Sequence, residues 1–133
     1  MNNELVNLSK ESIEIASYLA KRAQQHQKAE TYGDVCMAMK LSHEHTYSAV
    51  DLSRYLDEIN KVSYPRASVL LSVLVVNQET KIPGKGFFDL AAKLRQEPGL
   101  LDPASWESFF NEECERVYKS ALNKELNFFT DDK

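Results

Sequence analysis

The chain has 133 residues, 43% hydrophobic and 27% charged, with a formal net charge of −4. That is the balance of one folded globular domain, not of two domains or a disordered chain. Four Gly and four Pro are too few for the many turns of a β-sandwich or barrel, and the longest mainly apolar stretch, Val69 to Val76, is far short of the ~20 residues a membrane span requires.

From about Asn3 to Gln27, Leu5, Leu8, Ile15, Leu19 and Ala23 recur at helical spacing, with Ser9 placed to cap a second start. Thr31-Tyr32-Gly33-Asp34 reads as a helix start, because the Thr hydroxyl can accept from an orphan N–H and the carboxylate can reach back to the cap. That helix runs from about Tyr32 to Lys40, with Val35 and Met39 inward. A turn over Leu41 to His45 leads into a third helix from about Tyr47 to Asn60, the outline of a helix-turn-helix. Tyr64-Pro65 is expected to end the region. Val69 to Asn77 is rich in β-branched residues and is expected to be a strand. A glycine-bearing loop follows, then a helix over Phe87 to Arg95. Asp102-Pro103 opens a last helix whose apolar face holds Trp106, Phe109, Phe110, Val117, Ala121 and Leu122, fraying near Phe128. The expected fold is therefore a single domain over 1–133, mainly α. Its core, residues 30–97, is winged-helix-like (helix-turn-helix, short strand, glycine-containing wing), and N- and C-terminal helices at 1–29 and 102–133 flank it.

Charge is unevenly distributed. Residues 1–101 carry 12 basic and 12 acidic side chains, whereas residues 102–133 carry 4 basic and 8 acidic. Lys61, Arg66, Lys81, Lys85, Lys93 and Arg95 face only Glu79 and Asp89 within 61–95. A local cationic surface is what phosphate binding needs, whatever the overall pI. Against it, the third helix carries Asp51, Asp57 and Glu58 beside Arg54, an outward face unlike that of a base-reading helix. His43-Glu44-His45 resembles a metal site only superficially, since neighbouring helical positions point in different directions. Gly84-Lys-Gly86 lacks the full phosphate-loop pattern. Glu112, Glu113 and Glu115 read as a solvated helix face. Cys36 and Cys114, far apart and without a CxxC pattern, read as reduced thiols, and the N-terminus shows no basic or apolar signal core. Together these point to the cytoplasm, with no cofactor and no membrane.

Several segments in order resemble a known family. Thr31-Tyr32-Gly33-Asp34-Val35 resembles the start of the helix-turn-helix in alkylguanine-DNA alkyltransferases and the non-catalytic alkyltransferase-like proteins. Val69 to Asn77 resembles their active-site segment, which runs Pro-Cys-His-Arg-Val-Val, and Lys81 to Phe88 resembles the glycine-rich wing after it. Aligning Val75-Val76 puts Ser72, Val73 and Leu74 where the family has Cys, His and Arg, so the thiolate chemistry is missing. The resemblance, confined to about residues 30–97, implies the scaffold and DNA contact without repair chemistry. The expected function is weak, non-enzymatic binding of duplex DNA, or a DNA-facing role in a larger complex. Arg66, Lys81 and Lys85 would meet phosphates, with Tyr32, Ser48 and Arg54 on the helix-turn-helix. The alternative is a protein-interaction or self-association module using residues 102–129, with Trp106, Phe109, Phe110, Phe128 and Phe129 as its docking stripe.

Overall fold

The computed structural model describes residues 8–44 and 46–130. Helix α1 (Lys10–Gln24) starts where Ser9 accepts from the Ser12 N–H at 3.1 Å, the cap expected there. The expected helical stretch before it, and His45, lie outside the described residues. A two-residue strand, β1 (Glu30–Thr31), leads into α2 (Tyr32–His43). The capping box forms as the sequence requires: Thr31 Oγ1 accepts from Asp34 N–H, and Asp34 receives the Thr31 N–H in return. Helix α3 (Ala49–Ala67) is capped by Ser48, whose hydroxyl accepts from Asp51 N–H at 3.1 Å.

The expected stop at Tyr64-Pro65 is overturned, because α3 runs through Pro65 and ends at Ser68, a left-handed residue whose N–H donates to Tyr64 C=O. A proline two residues from a helix end removes one hydrogen bond. Burial of Val62 and Ser63 one turn earlier keeps the helix seated.

The largest departure is at Val69 to Val76. Leu71–Leu74 is a 3₁₀ turn, and only Val75–Val76 (β2) is a strand, paired parallel with β1 through Glu30 to Val75 and Thr31 to Val76. The segment is buried throughout and threads the core. Before β2, side chains satisfy most of its backbone N–H groups. Leu70 N–H donates to Glu113 Oε2 (2.8 Å), Leu71 N–H to Ser63 Oγ (3.2 Å) and Ser72 N–H to Asn60 Oδ1 (3.1 Å). Buried polar backbone must be paired, and these acceptors come from α3 and from Glu113, 43 residues beyond Leu70.

Helix α4 (Lys85–Arg95), two 3₁₀ turns (Pro98–Leu101 and Pro103–Ser105), α5 (Trp106–Leu122) and the short α6 (Asn127–Thr130) complete the described chain. Asp102 caps the second 3₁₀ turn, not α5 itself, accepting from Ala104 N–H. The architecture is thus mainly helical. Buried Ile15, Ala16, Leu19, Ala20 and Ala23 make α1 the hub, packed against α3, α5 and α6. Small residues there let the helix axes approach closely.

Two further expectations are corrected. Glu113 is no part of a solvated face. It is fully buried and held by Arg95 (2.9 Å) and Arg116 (2.6 Å), with Arg95 also donating to Ser68 C=O at 2.7 Å. Leu122, assigned to the inward face of the last helix, is 82% exposed. Among the described residues no helix is long and apolar enough to cross a membrane.

Candidate functional site

The capping box and the β1–β2 pairing fix Tyr32 at the first position of α2. Its hydroxyl accepts from Gly84 N–H at 3.1 Å, joining α2 to the start of α4 across 52 residues of sequence. The segment before Gly84 is a closed turn: Asn77 N–H donates to Ile82 C=O and Lys81 N–H to Asn77 C=O, both at 2.9 Å. Lys81, with φ of 66°, supplies the left-handed residue, and none of the glycines has positive φ. The expected wing is therefore a compact turn held by its own backbone, with Pro83 buried beneath it.

Between this turn, α3 and the start of α4 lies a cavity of about 390 Å³. Tyr32, Leu56 and Phe87 give it apolar and aromatic wall, while Ser53, Asp57, Ser72 and Asn77 give it polar groups. Burial raises the Asp57 carboxyl above its ordinary range, opposed by the Lys61 ammonium. Burial also raises the Tyr32 phenol, although the Gly84 N–H acts the other way. Ser72 Oγ accepts from Asn60 Nδ2 at 2.7 Å. An amide beside the hydroxyl is no general base, so this serine is not activated as a nucleophile.

No family model, curated protein or solved structure matches this chain at a significant level.

The structure sorts the expected contact residues. Tyr32 and Lys85 line the cavity, and Lys81 sits on the turn that walls it. Ser48 is occupied as the α3 cap, and it is Ser53, one turn on, that reaches the cavity. Arg54 is exposed but engaged with its own helix, 3.4 Å from Asp51 and 3.9 Å from Glu58, with its guanidinium over the Tyr55 ring. Arg66 covers the Phe128 ring at 3.9 Å. Five residues on from Lys61, it points about 140° away around the helix.

The six cations of 61–95 do not all gather on one surface. Lys61 and Lys93 line one groove with Asp57, Gly86 and Asp89, and Lys85 adjoins Gly86 and pairs with Asp89 at 2.9 Å. Arg95, only 12% exposed, is drawn inward by Glu113. Motif reading does not single out Asn77, counts Lys61 and Lys93 only among the local cations, and gives Asp57 and Ser72 no contact role. Ser53, Asp57 and Lys61 stand at i, i+4 and i+8 on one face of α3, the spacing that marks them as neighbours.

Cys36 and Cys114 are free, and burial beside Glu113 pushes the Cys114 thiol up to about 12. His43 Nδ1 lies 3.5 Å from Glu14 Oε2. No cluster of three or more metal-ligating side chains occurs among the described residues.

Proposed function

We propose that the chain is a small, non-enzymatic, winged-helix-like cytoplasmic module that faces DNA and binds it weakly through backbone phosphates. One observation carries the reading: Lys61 and Lys93 share a groove with Gly86, and Lys85 stands beside it at the start of α4. Lys81 on the adjoining turn extends the surface. Asp57 and Asp89 lie in the same groove, which keeps its net charge low and the binding weak. Sequence-specific reading is not part of the proposal, because Arg54 is neutralised by Asp51 and Glu58 on its own helix.

The test is fluorescence anisotropy with duplex and single-stranded DNA at two salt concentrations. Lys85→Ala and Lys93→Ala are each expected to weaken binding evenly across sequences and to shallow the salt slope by about one unit. Affinity that ignores salt, or that neither substitution moves, would sink the reading.

A second reading, protein interaction or self-association, gains support from a different place than the terminal helix. Phe109 and Phe129 are buried, and Trp106 stacks on Phe88 at 4.4 Å, so the stripe expected over 102–129 is consumed within the chain. Of the exposed large apolar side chains, Met37 and Leu41 stand at i and i+4 on α2 with Val50 at the start of α3, while Ile13, Leu101 and Leu122 are exposed elsewhere. Under this reading sedimentation velocity shows a mass that rises with concentration and that Leu41→Lys returns to the monomer. A chain that stays monomeric throughout removes self-association.

A further inference from the structure

The cavity beside Tyr32 and the lysine groove adjoin, sharing Asp57 and Gly86 as lining residues. The cavity, at about 390 Å³, and the groove, at about 520 Å³, form one trough within the size range of small-molecule sites, about 300–1,000 Å³.

The hydrogen bonding inside the trough is directional. Tyr32 Oη already accepts from Gly84 N–H, and Ser72 Oγ already accepts from Asn60 Nδ2. Neither O–H donates to any acceptor among the described residues, although Ser72 is only 3% exposed. Asn77 Oδ1 is likewise occupied by Glu79 N–H at 2.9 Å, leaving its amide N–H groups as donors. The inner end of the trough is therefore a set of donors around an aromatic and aliphatic wall, suited to a ring that carries nitrogen and carbonyl acceptors.

Asp57, a pure acceptor when ionised, stands at the junction. A carboxylate there suits vicinal hydroxyls. Beyond it, Lys61 on α3 and Lys93 in the last turn of α4 flank the groove. Two ammonium groups flanking one groove suit a phosphate.

Base, sugar diol and phosphate thus have matching chemistry in consecutive order along one trough. We propose that this trough binds a single ribonucleotide unit, with the base against Tyr32, Ser72 and Phe87, the ribose hydroxyls on Asp57, and the phosphate in the groove between Lys61 and Lys93. This goes beyond the DNA-facing reading, which requires the lysines and not the cavity.

Isothermal titration calorimetry on the full chain tests it. The ligands are AMP, GMP, CMP and UMP, their 2′-deoxy counterparts, the matching nucleosides, inorganic phosphate alone and a short single-stranded oligoribonucleotide. At least one ribonucleoside monophosphate is expected to bind, about tenfold tighter than its deoxy form and tighter than either its nucleoside or phosphate alone. Asp57→Asn is expected to erase the ribose preference. Lys93→Ala is expected to weaken the nucleotide and leave the nucleoside unchanged. Circular dichroism confirms that both variants fold.

An oligoribonucleotide that outcompetes the mononucleotide keeps the site and assigns its source to a strand. Absence of binding by every ribonucleotide, equal affinity for ribo and deoxy forms, or phosphate alone binding as tightly as the nucleotide overturns the proposal. A chain that binds DNA but no ribonucleotide refutes this inference alone, and the converse result refutes the DNA-facing reading alone.

Discussion

Glu113→Ala is expected to lower stability by about 3–5 kcal/mol, because it removes one partner of a buried ion pair and leaves the other charge behind. Arg95, 12% exposed, loses the carboxylate 2.9 Å away that compensates its guanidinium. Leu70 N–H loses its only acceptor in the core at the same time. For a chain of this length that loss corresponds to a fall in Tm of roughly 10–18 °C. Glu113→Gln keeps an acceptor for Leu70 and is expected to recover about 1–2 kcal/mol of it. Urea denaturation followed by circular dichroism measures both. If Glu113→Ala costs less than about 1 kcal/mol, the carboxylate does not have the bridging role assigned to it.

Phe88→Ala carries the second large effect, also about 3–5 kcal/mol. Phe88 is fully buried, lies parallel to Trp106 with an interplanar angle of 2°, and meets Phe87 edge-on at 5.1 Å. Removing the ring leaves a void where α4 meets the start of α5, in a place where Trp106 is pinned by its own Nε1–H bond to Leu100 C=O. Trp106 is the single tryptophan of the chain, so its emission reports the loss directly. A red shift in the native state together with an earlier unfolding midpoint is the expected result. An unchanged spectrum and midpoint would mean that the stack contributes nothing.

Local rules explain what the sequence made legible. Ser9 and Thr31 with Asp34 cap helices where expected, and Asp102 caps the 3₁₀ turn just before the last helix, because capping depends on residues two or three positions apart. The helical content and the placement of α2, α3 and α4 follow from the same short-range signals. Val69 to Val76 could not be read this way. Its composition favours a strand, but its backbone partners are Asn60, Ser63 and Glu113, which come from helices before and after it in the chain. Glu113 itself looks like its exposed neighbours Glu112 and Glu115, and only the arrival of Arg95 across 18 residues makes its burial tolerable. At the site, Tyr32 and Lys85 were legible from motif and charge. Asp57 and Ser72 were not, because a carboxylate on an acidic helix face and a serine in an apolar run acquire meaning only when α3 and the Asn77–Gly84 turn close around them.

The threaded segment also limits how this molecule can be taken apart. With its amides held by Asn60 and Ser63 on one side and Glu113 on the other, any cut that removes either helix leaves part of this buried run without acceptors for its N–H groups. Assigning roles to its surface will require single-residue changes on an otherwise whole polypeptide, not trimming from either terminus.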